Sequence, residues 1–127
     1  MLAGCDVIAI GPGTAERLRE YDVRADIIPG DHSSYGLLDA IRSRYSGGRI
    51  ALVRSDSGSN VLSDGLRESG FEPVDIAAYR LRAATIGPEM IAIMDAIAEK
   101  KLDWIAFTSS MSASSFISAM ETRFGEL

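Results

Sequence analysis

Cysteine, histidine and lysine are scarce in this chain, and each shortage removes a class of chemistry. One cysteine, Cys5, among 127 residues allows no internal disulfide and no thiolate-held metal cluster. It is expected to be a small buried apolar side chain. One histidine, His32, leaves too little material for a histidine metal site or a Ser-His-Asp triad; beside Asp31 it is expected to form a surface loop pair. No metal site is expected. Long apolar runs are missing too. None approaches the roughly 18 residues a membrane span needs, and no charged stretch followed by a long apolar one opens the chain. No membrane is expected as partner, and the expected location is cytoplasmic. A formal net charge of −5 argues against nucleic acid, whose partners carry basic patches. The cations present are nearly all arginine, whose planar fork suits carboxylates and phosphates better than lysine does.

What remains is an ordinary globular composition, 46% hydrophobic and 24% charged, long enough for one domain over residues 1–127. Short apolar runs alternate with helical patterns from end to end. Strands are expected at Asp6–Ile10, Ala25–Ile28, Ile50–Val53, Pro73–Tyr79 and Asp103–Thr108. Helices are expected from Thr14 to about Tyr21, from a cap at Ser34 to Gly47, and from Ser59 or Asn60 to Gly70. Two more are expected over Glu89–Lys100 and from Ser112 to about Arg123. Alternation with short connections means parallel strands and right-handed crossovers. The expected fold is α/β, a three-layer parallel sheet with helices on both faces.

Ligands of open parallel sheets bind beyond the carboxyl ends of the strands. Here those ends read Gly11 and Thr14; Ser33 and Ser34; Arg54, Ser55 and Ser57; Tyr79; and Thr108, Ser109 and Ser110. Several also lie at helix starts, where free N–H groups and the helix dipole favour an anion. The rim is rich in neutral donors and poor in acids and bases, so it suits holding carboxylates or phosphates. Each hydroxyl also suits plain helix capping, and Tyr79 also suits an amphipathic rim. Rival motifs fail: Glu16 stands where a dinucleotide fingerprint needs its third glycine, and no Gly-Lys-Ser/Thr phosphate loop occurs.

The succession of motifs resembles the uroporphyrinogen-III synthase family. It runs Ala9-Ile10-Gly11-Pro12-Gly13-Thr14-Ala15, Ser34-Tyr35-Gly36-Leu37-Leu38, Ile50-Ala51-Leu52-Val53-Arg54-Ser55, Val61 through Phe71, Ala78-Tyr79-Arg80, and Asp103 through Ser110. Each motif alone is weak; their order along nearly the whole chain is specific. The resemblance implies a flavodoxin-like domain and a cofactor-free enzyme of tetrapyrrole synthesis. Such an enzyme closes linear hydroxymethylbilane to uroporphyrinogen III, inverting the last ring and losing water. It implies Tyr79 as the catalytic group assisting departure of the hydroxyl, since a phenol can donate its proton. Gly11, Thr14, Ser34, Arg54, Ser55, Thr108, Ser109 and Ser110 are implied as substrate contacts. Unassisted closure gives the uninverted isomer, so the protein mainly has to fix geometry and exclude water.

Members of the family are about twice this length, with two similar α/β domains around a cleft. The opening strand-helix unit is missing here, and so is the second Gly-Pro-x-Thr-Ala turn. The last βα unit, Asp103 to Arg123, is expected to replace the missing first one as a permuted or swapped element, giving Ile105 and Phe107 a neighbouring strand. A homodimer or swapped dimer is the expected assembly. Two other functions fit the same residues: a half-enzyme active only as a dimer, and a non-catalytic anion-binding or interaction domain.

Overall fold

A computed structural model describes residues 4–125 of the chain. They divide into two compact units, the first ending at Leu81 and the second beginning at Arg82.

In the first unit the strongest expectation is met. Strand β1 (Gly48–Ser55) pairs in parallel with β2 (Phe71–Tyr79), and helix α3 (Val61–Glu68) makes the crossover between them. β-Branched residues Ile50 and Val53 favour the pleated conformation; Gly70, at positive φ, follows the cap of α3, and Gly47, also at positive φ, leads into β1. Ile50 and Leu52 share one face with Phe71. Leu52 and Phe71 are buried with Leu62 and Leu66 of α3 and with Leu37, Leu38 and Ile41 of helix α2 (Ser34–Arg44). Burying each such side chain contributes about 1.5–3 kcal/mol. Arg42 joins the two helices, donating from Nη2 to the Gly65 carbonyl at 2.9 Å and from Nε to Ser69 Oγ at 2.6 Å. The opposite face of the strand pair carries Val53, Val74 and Ile76, all exposed.

The two opening strands shrink to a single parallel bridge, Ile8 with Ile27. The Ala9 N–H donates to the Ile27 carbonyl at 3.0 Å and the Asp26 N–H to the Val7 carbonyl at 2.7 Å. The Asp26 carboxylate takes the Val7 N–H at 2.8 Å, and Pro29 has no N–H to extend the ladder. Helix α1 spans Pro12–Arg19, two residues earlier than expected. Proline at its first position is pre-set for a helix, so Gly11 is the cap and Thr14 the third residue. For α2 the cap is Ser33 rather than Ser34: Ser33 Oγ accepts from the Gly36 N–H at 3.1 Å and donates to Asp31 Oδ2 at 2.7 Å. Cys5 is exposed, not buried, because the chain before the Ile8 bridge lies outside the packed cluster.

The second unit holds α4 (Pro88–Ala98) and α5 (Ser110–Phe124). Met94, Ala119 and Met120 are its buried centre, flanked by Met90, Ile97 and Phe116. Arg123 grips Asp95 with Nε at 2.9 Å and Nη2 at 2.7 and 2.8 Å. The strand expected at Asp103–Thr108 is not formed: these residues belong to no ladder, and Trp104, Ile105 and Phe107 are exposed. The apolar alternation is real, but a strand needs a neighbour, and Phe107 packs instead on Phe116, ring centroids 5.8 Å apart.

Candidate functional site

Two groups of the expected rim residues assemble in the first unit. The earlier group surrounds the start of α1. Gly11 is buried, and a Cβ there would lie 3.4 Å from the His32 ring, so the glycine turn lies against the His32–Ser33 loop. Thr14 is exposed in the first turn of the helix. Thr14, Arg17, Leu18 and Tyr21 line an open hollow of about 390 Å³. Within it the Arg17 guanidinium stands 5.8 Å from the Tyr21 ring centre and also pairs with Glu20. Ser34, half-buried, is the first residue of α2 and leaves the capping to Ser33.

The later group lies at the carboxyl end of the strand pair. A β-bulge separates the register pair Arg54–Ala77 from Ser55–Tyr79, so Ala78 is passed over and Tyr79 stands opposite Ser55. Tyr79 is 58% exposed. The Arg54 guanidinium is already engaged. Nε donates to Asp75 Oδ1 at 2.7 Å, Nη2 lies 2.6 Å from the same oxygen, and Nη1 donates to the Ser59 carbonyl. In the loop between β1 and α3, the Asp56 N–H donates to the Tyr79 carbonyl at 3.1 Å. Asp56 Oδ1 accepts from the Leu81 N–H at 3.1 Å. A shallow hollow of about 290 Å³ lies here, lined by Arg54, Ser55, Asp56, Gly58 and Asp75 among others.

The third expected group lies in the second unit. Ser109 caps α5 in a reciprocal box: Ser109 Oγ accepts from the Ser112 N–H at 3.0 Å, and Ser112 Oγ accepts from the Ser109 N–H at 3.2 Å. Ser110 opens the helix, and Thr108 is exposed just before it. Neither Asp75 nor Asp56 stands among the residues expected at the rim. A visible signal existed for Asp75, since a carboxylate between Val74 and Ile76 in an apolar strand calls for a partner on the next strand.

The crossover unit, the parallel pair and the hydroxyl-bearing turns define an α/β protein with a polar rim at its strand ends. A family model described as uroporphyrinogen-III synthase HemD matches residues 1–126, and the chain belongs to that family. Among curated relatives, it is 33% identical over 124 residues to a protein of Methanothermobacter thermautotrophicus named "Putative uroporphyrinogen-III synthase", covering 97% of this chain and 49% of the relative. It is 26% identical over 122 residues to the uroporphyrinogen-III synthase of Synechococcus elongatus, covering 95% and 46%. The chain therefore spans about half the length of these relatives. No solved structure matches it.

Proposed function

We propose that this chain takes part in tetrapyrrole synthesis as a uroporphyrinogen-III synthase, cyclising hydroxymethylbilane with inversion of the last ring and loss of water. The observation that carries the reading is Tyr79, exposed at the end of a parallel strand and held opposite Ser55, in a chain that matches the family over nearly its whole length. The phenol donates its proton to the departing hydroxyl, which leaves as water; the last pyrrole ring attacks the azafulvene-type cation left behind, and the proton released as the rings regain aromaticity returns to the phenolate. The substrate's carboxylates are received by the Gly11 turn, Thr14, Ser34 and Ser55 of the first unit. Arg54 stands at the same rim. Neutral donors at helix starts suit a polyacid whose ring closure needs geometry more than base strength.

The three-layer, flavodoxin-like arrangement and a cytoplasmic location belong with this reading. So does a swapped dimer, in which the strand-like segment around Ile105 and Phe107 finds its ladder on a second copy. No helix among the described residues is long and apolar enough to cross a membrane. The test is incubation of the full chain with freshly made hydroxymethylbilane, resolving the two product isomers. Inverted product is expected, and Tyr79→Phe should lower its rate by about 10²-fold while Cys5→Ser leaves it unchanged. Uninverted product alone would favour an anion-binding domain without catalysis. Sedimentation of the same sample reads the dimer.

A further inference from the structure

We infer that the Arg54–Asp75 pair is a latch that orders residues 55–60 and, through Asp56, fixes the backbone carrying Tyr79. The inference rests on the reading of Tyr79 above. It makes Arg54 and Asp75 positioning residues rather than grips for substrate.

Arg54 leaves β1 one residue before its end and reaches across to Asp75, two positions before its register partner Ala77 on β2. The Arg54 side chain is 23% exposed and that of Asp75 40%, so water screens the pair in part, and its hold on the loop comes from one guanidinium reaching two partners. Its third nitrogen, Nη1, donates to the Ser59 carbonyl, closing the loop on itself. Gly58 makes room for this path: a Cβ at position 58 would fall 2.8 Å from Arg54 Cδ and 3.0 Å from Nη1. The Gly58 N–H donates to the Ser55 carbonyl at 3.3 Å, which tightens the turn. Inside the ordered loop sits Asp56, which holds the Tyr79 carbonyl with its N–H and the Leu81 N–H with its carboxylate. The backbone on both sides of Tyr79–Arg80 is thereby tied to a loop whose shape Arg54 sets.

The test compares Asp75→Asn, Arg54→Met and Arg54→Lys in the full chain by amide hydrogen exchange and by kinetics with hydroxymethylbilane. Asp75→Asn and Arg54→Met should each speed exchange at the Asp56, Gly58 and Leu81 amides by about 10-fold, with the Leu66 amide of α3 unchanged as the sign of an intact fold. Arg54→Lys, which keeps the charge but cannot fork to both partners, should fall between. Both charge-removing variants should lower kcat by about 10-fold and leave KM within about twofold. A substrate grip predicts another pattern: KM rising in Arg54→Met and unchanged or lower in Asp75→Asn. That pattern overturns the inference. If the unaltered chain turns over no substrate, Tyr79's role fails while the exchange rates still decide the latch, and unchanged rates at all three amides overturn it.

Discussion

The same substitution, glycine to alanine, should act with opposite sign at two helical positions of the first unit. At Gly36, the third residue of α2, an added Cβ would lie 2.7 Å from Asp31 Cβ and 2.9 Å from the Asp31 carbonyl carbon, and closer still to its oxygen. Ordinary carbon–carbon contact begins near 3.4 Å, so the Asp31 backbone has to retreat by the better part of an ångström. Asp31 cannot retreat alone, because its carboxylate holds the Ser33 hydroxyl that caps the helix. Overpacking of this kind costs about 1–3 kcal/mol, and loosening the cap about 1 kcal/mol more. Alanine's better helix propensity returns about 1 kcal/mol. The net is a loss of about 1–3 kcal/mol for Gly36→Ala, or roughly 3–15 °C in Tm for a chain of this size. Gly13, in the first turn of α1, has nothing within 4 Å of where a Cβ would go. Gly13→Ala should therefore gain about 0.4–1 kcal/mol from the unfolded side. Thermal melts of the two variants followed by far-ultraviolet circular dichroism read both signs. A Gly36→Ala protein melting at or above the unaltered chain would refute the close approach of Asp31.

Two further outcomes follow from packing and from titration. Leu66 is fully buried at the centre of the first unit's cluster, so Leu66→Ala should cost about 2–5 kcal/mol in urea unfolding; a loss under about 1 kcal/mol would mean α3 is not packed there. Tyr45 donates its hydroxyl to the Asp6 carboxylate, which, with lesser help from desolvation and from the Asp6 charge, raises the phenol above its ordinary value of 10.0. A raised value means that the fold favours the neutral phenol, so this stabilisation is present below pH 10 and fades as pH climbs through the higher folded value. In ultraviolet titration of tyrosinate, Asp6→Asn should bring the Tyr45 step back toward the ordinary range, as judged against a Tyr45→Phe spectrum. An unmoved step would remove Asp6 as the cause.

The fold was legible where the signal is local. β1, α3 and β2 follow from an apolar run, an amphipathic turn pattern and glycines at the junctions, and the parallel pairing follows from their alternation. Strand formation at Asp6–Ile10, Ala25–Ile28 and Asp103–Thr108 was not legible, because a segment with three or four apolar residues becomes a strand only if something pairs with it. The helix starts turned on competition between neighbours. Pro12 takes the first helical position ahead of Thr14, and Ser33 takes the cap ahead of Ser34 because Asp31 can hold its hydroxyl. At the rim, Ser55 and Tyr79 were readable from their places at strand ends. Asp75 was readable only as a carboxylate in want of a partner, since which partner it finds depends on how far an arginine on the neighbouring strand can reach.

Ala78 contributes no recognition chemistry of its own, yet the rim is built on its being there. β2 spends nine residues where β1 spends eight, and that surplus of one reverses the alternation just before the phenol. The aim of Tyr79 is thus set by arithmetic, not by any side chain at position 78. Point-by-point replacement along this segment would find Ala78 inert, whereas shortening it by a single residue would rotate everything downstream.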